Sequence, residues 1–355
     1  MLKDIDIKNI LSDKNINNLF LSASLKEINE QCKILKGDFF LDSFYYFPIT
    51  NNYETFHGLF KRQDDNSIKH FYKENFYNNL REKEKDFKVF DNCFVLGSSP
   101  ADNYYSNLIN FLPRIFFANE KKINLIIHRN LSNKFRKLIK LICYMRKINV
   151  TFNYVDDEFY KFKNSMIPQF LSPEKSINIL KFFIEIILKN VKTPALGDKI
   201  YIRREDADYR KILNESDLIS KLREKGFEII NPQHYEILTQ IKIFSEAKLI
   251  ISPHGSNLSN IIFCKKGTKI IEISPTFNHS YESNISHRYA KLSSIANLEF
   301  SKIIADTVDV KTHSILAKKY INMQILNQSY YYKNMILKVS EIDKLINSLQ
   351  NDNLI

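Results

Sequence analysis

This sequence predicts an α/β fold of two Rossmann-like halves whose parallel sheets face a cleft. Three observations carry that expectation. Short apolar runs recur from Phe90 onward with amphipathic segments between them, the alternation of a doubly wound parallel sheet. One break, Lys192-Thr193-Pro194-Ala195-Leu196-Gly197, interrupts the pattern with Pro and Gly and marks a domain boundary. Residues 248–275, KLIISPHGSNLSNIIFCKKGTKIIEISP, read as strand, tight turn, helix, strand. That order is the βαβ unit of a parallel sheet. The chain, at 355 residues, is long enough for two domains with good cores. The division expected is 1–192, 198–310, and a tail, 311–355, whose helices pack back on the first domain.

The elements follow in order. Aromatic-rich FFLDSFYYFPI (Phe39 to Ile49) reads as packed strands, and a charge-dense stretch runs from Tyr72 to Lys88. Cys93 to Leu96 is an apolar run closed by Gly97-Ser98-Ser99-Pro100, hence a strand and a turn. Leu108 to Asn119 has helical spacing disturbed by Pro113. Leu125 to His128 and Val150 to Tyr154 read as strands flanking a basic amphipathic helix, Asn133 to Lys147. Pro173 to Val191 is a long helix; Lys181, Glu185 and Lys189 interrupt its apolar face and mark it as core-facing, not membrane-spanning. Beyond the boundary, strands are expected at Lys199 to Arg203, Glu228 to Ile230, Leu249 to Ile251, Lys269 to Ile273 and Phe300 to Ile304.

Composition narrows the function classes. Lys+Arg 52 against Asp+Glu 40 gives a net charge of +12, which suits nucleic acid, an anionic membrane surface or an acidic substrate. The chain is also rich in Lys, Asn and Ile and has no Trp, so part of that charge reflects compositional bias. Its basic residues are dispersed and no nucleic-acid-binding signature stands out, which argues against a nucleic-acid-binding protein. Cys32, Cys93, Cys143 and Cys264 form no CxxC pair, so neither zinc nor a disulfide framework is expected, and a reducing, cytoplasmic compartment fits. The first residues, MLKDIDIKNILSDKN, lack an apolar signal core.

Four constellations carry chemistry. At the turn after strand 249–251, Gly255 permits close backbone approach or positive φ, and Ser256 or Asn257 can cap the next helix. His254 would point into the cleft, and a helix start there suits an anion; its bland alternative is a turn histidine bonded to backbone. Glu272, inside an apolar run, needs a partner or a wet sheet edge, where it could accept from a ribose diol. Arg203 and Arg204 end one strand, with Arg210 and Asn214 beyond, and an arginine fork suits diphosphate oxygens. Asp206 and Asp208 between them are a loop carboxylate pair, not a metal motif. The fourth segment is ADNYYSNLINFLPR, where Asp102 and Asn103 would meet the cleft, and Tyr104 and Tyr105 could stack on a sugar or base while at least one of them packs in the core.

Taken together, YIRREDADYRKILNE, GFEIINP, QIKIFSEAKLIISPHGSNLSNIIF and IIEISP, in that order between Tyr201 and Pro275, resemble the family 61 glycosyltransferases. NYYSNLINFLPR adds a fainter match, with Ser106, Asn107 and Asn110 departing from the residues usual in that family. The resemblance implies a GT-B architecture with an acceptor-side first domain and a nucleotide-sugar-binding second one. It implies inverting transfer of a sugar from a nucleotide donor to an acceptor hydroxyl, with no cofactor and no obligatory metal. Arg203, Arg210, Asn214, His254, Gly255, Ser256, Asn257, Asn260 and Glu272 would hold the donor. Asn103, Tyr104 and Tyr105 would face the acceptor, and Asp102, with His254 in reserve, would be the base. A capsular or lipooligosaccharide glycan, lipid-linked at an anionic inner leaflet, is the acceptor expected. The alternatives are a catalytically degenerate nucleotide-binding member of the family and a basic nucleic-acid-binding protein.

Overall fold

Two sheets, each dominated by parallel pairs, organise the chain. The computed structural model describes residues 32, 34–42, 48–49, 86–96, 103–156, 158–190, 196–205, 207, 209–277, 283–308 and 333–352. The turn 97–100, Asp102, Asp206, Asp208 and residues 311–332 of the tail lie outside them. The chain divides between Val191 and Lys192 into two compact units.

In the first unit the strands are β1 (Ile34–Asp42), β2 (Pro48–Ile49), β3 (Lys88–Asp91), β4 (Cys93–Val95), β5 (Lys122–His128), β6 (Asn149–Val155) and β7 (Phe159–Pro168). Their order is β2-β1-β7-β4-β5-β6, with β3 also on β7. The β4, β5, β6 and β7 pairs are parallel, while β1 runs antiparallel to β7. Helices α1 (Asn133–Met145) and α2 (Pro173–Asn190) follow β5 and β7. Strand β7 was not expected from the sequence, because its apolar residues Tyr160 and Phe162 only alternate with Lys161 and Lys163, and Asn164 then breaks the alternation. Among the described residues between β4 and β5 there is no regular α-helix. Ser106–Phe111 is widened to π geometry and Leu112–Phe117 tightened to 3-10. Pro113, which lacks an N–H and cannot extend an α ladder, sits at the change.

The second unit places β8 (Lys199–Ile202), β9 (Glu228–Ile230), β10 (Leu249–Pro253), β11 (Lys269–Pro275), β12 (Glu299–Val308) and β13 (Asn334–Ile336) in the order β13-β12-β11-β10-β8-β9. All pairs are parallel except β12–β13. Side chains alternate across a strand, and here the alternation sorts two layers. Leu249, Ile251, Ile271, Ile273 and Tyr201 enter one core with Leu218 and Leu222 of α3 (Glu215–Glu224) and Leu345 and Leu349 of α6 (Val339–Asn351). Ile250, Ile270 and Glu272 therefore face the opposite layer, which holds α4 (Ile237–Glu246), the 3-10 helix Ser256–Phe263 and α5 (Arg288–Ala296).

The described end of the tail, helix α6, packs into the core of the second unit, because Ile342, Leu345, Ile346 and Leu349 form an apolar stripe matching that of α3. The helix after the His254 turn is 3-10 throughout, and Gly255 is its N-cap, with no side-chain capping bond from Ser256 or Asn257.

Candidate functional site

Sheet order locates the site. Strand β8 lies between β9 and β10, so successive crossovers leave β8 toward β9 and return to β10 on its other side. That reversal between β8 and β10 is a topological switch point, the place where open α/β sheets form a crevice at their carboxyl ends. The residues leaving β8 are Arg203 and Arg204, and those leaving β10 are His254 and Gly255.

Consecutive residues of an extended chain point opposite ways, and the two arginines separate accordingly. Arg203 is held by carboxylates: its Nε donates to Glu215 Oε2 at 3.0 Å, and its guanidinium also pairs with Glu205. Arg204 instead lies against the turn, where an ideal Cβ on Gly255 would come within 1.9 Å of its Nη1. Gly255 has a φ of −177°, an extended value open to any residue. The glycine is therefore explained by close approach, not by a left-handed backbone. Arg204 Nη2 also donates to the Tyr209 carbonyl at 3.2 Å. Arg210 is buried at a positive φ of 59° and stacks over the Tyr209 ring at 4.8 Å.

Behind the turn lies a charged network inside the fold. His254 is 1% exposed and Glu272 is 0% exposed. His254 Nδ1 is hydrogen-bonded to Glu272 Oε1, and Lys302 Nζ stands 3.5 Å from Glu272 Oε2. Register explains the meeting, since Ser252, Glu272 and Lys302 are lateral neighbours on β10, β11 and β12. The His254 amide donates to the Ile273 carbonyl at 2.7 Å, continuing the ladder past the strand end. Tyr289 and Phe277 meet the imidazole edge-on at 5.0 and 5.3 Å.

The protonation states follow from this crowding. Burial, then the positive charges of Arg210, Arg288, Arg204 and Lys302, holds the His254 pKa well below the ordinary imidazole value. Burial raises the Glu272 pKa to about 7, opposed by Lys302, Arg210 and Arg288. Four cations thus act on the neutral imidazole, and three of them on the buried carboxyl. A site with that surplus suits an anion, and cations at a helix start supply the complementary field.

Several expected ligands do other work. Glu272 is not at a wet edge; it is interior, in the middle of the sheet and turned to His254 and Lys302. Asn214 exchanges two hydrogen bonds with the Leu337 backbone, at 2.7 and 3.1 Å, and so fastens α3 to the end of β13. Asn260 is fully buried and its Nδ2 reaches Gln240 Oε1 at 3.4 Å. Ser256 and Asn257 are half-buried at the start of the 3-10 helix, where the first N–H groups of any helix lack partners within it.

In the first unit, Asn103 is exposed and its Oδ1 accepts from the Ser106 amide at 3.0 Å. Tyr105 is buried, and Tyr104 packs 5.2 Å from the Phe135 ring. The arginine of the LPR segment is structural. Arg114 is 0% exposed, donates to the carbonyls of Leu96 at 2.9 Å and Pro168 at 3.0 Å, and lies 4.4 Å over the Phe170 ring. It therefore ties the carboxyl end of β4 to that of β7.

Sequence reasoning passed over Arg288, Lys302 and Tyr289, and quoted Arg204 only beside Arg203. The period of two at the end of β8 could have separated the arginines. Lys302 and Arg288 carry no local signal, because only sheet register and the packing of α5 bring them to His254.

The model of the family described as Glycosyltransferase 61 matches residues 89–271, more than half of the chain. The chain belongs to glycosyltransferase family 61. As a member it is a glycosyltransferase, using a nucleotide-sugar donor and a glycan acceptor, and its two parallel-dominated sheets are compatible with a GT-B-like two-domain fold. The matched segment includes Arg114, Arg204, Arg210 and the His254 turn; Glu272, Arg288 and Lys302 lie beyond it. No curated protein matches the chain.

Proposed function

We propose that this glycosyltransferase works with inversion and without a metal, and that the donor's diphosphate binds at the His254 turn between Arg204, Arg210, Arg288 and Lys302. One observation supports this most directly: four cations converge on a buried pair at the switch point of the second sheet. In the reaction proposed, the acceptor oxygen bonds to the anomeric carbon while the bond from that carbon to the diphosphate breaks. The electron pair leaves on the diphosphate, where fixed cations lower the barrier, and the acceptor proton passes to a base.

Asp102 is the base we favour, for its place in ADNYY after β4. His254 is unsuited, because a base must accept a proton and the surrounding cations oppose one there. The acceptor proposed is a surface glycan of the capsule or lipooligosaccharide kind, met on the cytoplasmic face of the plasma membrane. The net charge of +12 motivates that placement, and absence of salt-sensitive binding to anionic liposomes would remove it.

A thermal-shift screen against UDP, GDP, CMP and TDP tests the donor site. One of these ligands should stabilise the protein, and Arg204→Ala and Arg210→Ala should each weaken its binding about 10-fold or more, the scale of a lost charge-assisted hydrogen bond. Wild-type affinity in both variants would place the donor elsewhere.

A further inference from the structure

We propose that Glu272 is a positioning residue for His254 and not a ligand of the donor's ribose. Its carboxylate accepts a hydrogen bond from His254 Nδ1–H, Lys302 pairs with that carboxylate, and His254 enters the site as a neutral ring with its lone pair on Nε2. This inference rests on the proposed donor site and deepens it.

The geometry leaves Glu272 little else to do. Oε1 is bonded to His254 Nδ1, and Oε2, buried and without a hydrogen-bond partner among the described residues, forms an ion pair with Lys302 Nζ at 3.5 Å. The side chain is wholly buried on a central strand, so a ribose could reach it only by displacing side chains packed over it. A hydrogen bond at one ring nitrogen selects the tautomer and fixes the ring plane. Here it also joins β11 to the first residue of the turn, directly before Gly255 and the start of the 3-10 helix. Lys302 is itself steadied by donating to the Ser286 carbonyl, so three successive strands and the approach to α5 share one polar network. The charged groups that lower the His254 pKa are cations: Arg204 after β8, Arg210 in the following loop, Arg288 on α5 and Lys302 on β12. A neutral acceptor oriented among them leaves their charge available to an anion.

The two roles separate by ligand chemistry. The nucleotide that binds in the screen above is compared with its 2′,3′-dideoxy analogue, on wild type, Glu272→Gln and Lys302→Gln. Positioning predicts that both variants weaken the nucleotide and its dideoxy analogue by the same factor, about 10-fold for Glu272→Gln, so the ratio of the two affinities stays at its wild-type value. A ratio collapsing toward one in Glu272→Gln means the carboxylate contacts the ribose and overturns the proposal. Should Glu272→Gln fail to fold, Lys302→Gln and a spectrum of the wild type still decide. With 15N-labelled histidine at pH 8.5, the His254 ring, identified by its loss in His254→Gln, should carry its proton on Nδ1. A proton on Nε2 alone, or on both nitrogens, refutes the assignment. If none of the four nucleotides binds wild type, the donor site itself fails, and the ring spectrum then tests Glu272 alone.

Discussion

At the scale of single residues, the arrangement around Gly255 makes the sharpest test of the site. Gly255→Ala adds a methyl where the Arg204 guanidinium now lies. The far end of an arginine can swing away, so the cost in stability should be small, within about 1 kcal/mol, while nucleotide affinity falls as Arg204 is displaced. Denaturant melts and calorimetric titration of the variant would show both, and a large stability loss with normal affinity would contradict this account. Arg203→Ala should leave both nearly unchanged. Its partly exposed pair with Glu215 contributes no more than about 1 kcal/mol, and binding should change little.

The buried pair makes a pH prediction at the same scale. In the unfolded chain the histidine binds a proton as pH falls through 6.5 and the glutamate stays ionised until 4.5. In the fold the carboxyl binds a proton near 7 and the imidazole stays neutral. Between 6.5 and 4.5 each state therefore holds one proton on this pair, and the pair adds no slope to stability. Glu272→Gln removes only the folded-state proton site, so the unfolded variant binds one proton more below 6.5. Its stability should then fall on acidification relative to wild type, by up to about 1.4 kcal/mol per pH unit. Urea midpoints of both proteins at pH 7.5 and 5.5 measure the difference, and parallel changes would refute it.

Elements, not residues, explain Arg114 and the tail. Arg114 spans the carboxyl ends of β4 and β7 through two carbonyls. Arg114→Met leaves those buried oxygens without their donor and should destabilise the protein by about 3 kcal/mol or more. Helix α6 lends Leu345, Ile346 and Leu349 to a core shared with α3. Leu349→Ala should cost about 2–5 kcal/mol, as should Leu222→Ala on the facing helix, both read from urea melts. Most of the strands expected from apolar runs lie within two residues of their place, as at Glu228–Ile230 and Leu249–Pro253. Strands β3, β7 and β13 and the 3-10 character of 256–263 escaped, the strands because they carry no uninterrupted apolar run, and the helix because local spacing does not separate 3-10 from α over eight residues.

For the whole molecule, the proposed metal-free donor site predicts that turnover survives chelation. Donor hydrolysis or transfer measured with excess EDTA should stay within about 2-fold of the untreated rate, well under the effect of one charge-assisted hydrogen bond, and loss restored by a divalent cation would show a metal requirement. Among the described residues no three His, Cys, Asp or Glu side chains converge on a point, and no helix is long and apolar enough to cross a membrane. Local pattern was enough to read many of the alternating strands and the turn at 254–257, each written within a few consecutive residues, and the order of four such pieces between Tyr201 and Pro275 was enough for the family. Which arginine reaches the turn, what Glu272 binds, and that Lys302 and Arg288 belong there emerged only with sheet order and register. Those contacts join residues tens of positions apart, and a one-residue change of strand register would turn every one of them to the other face.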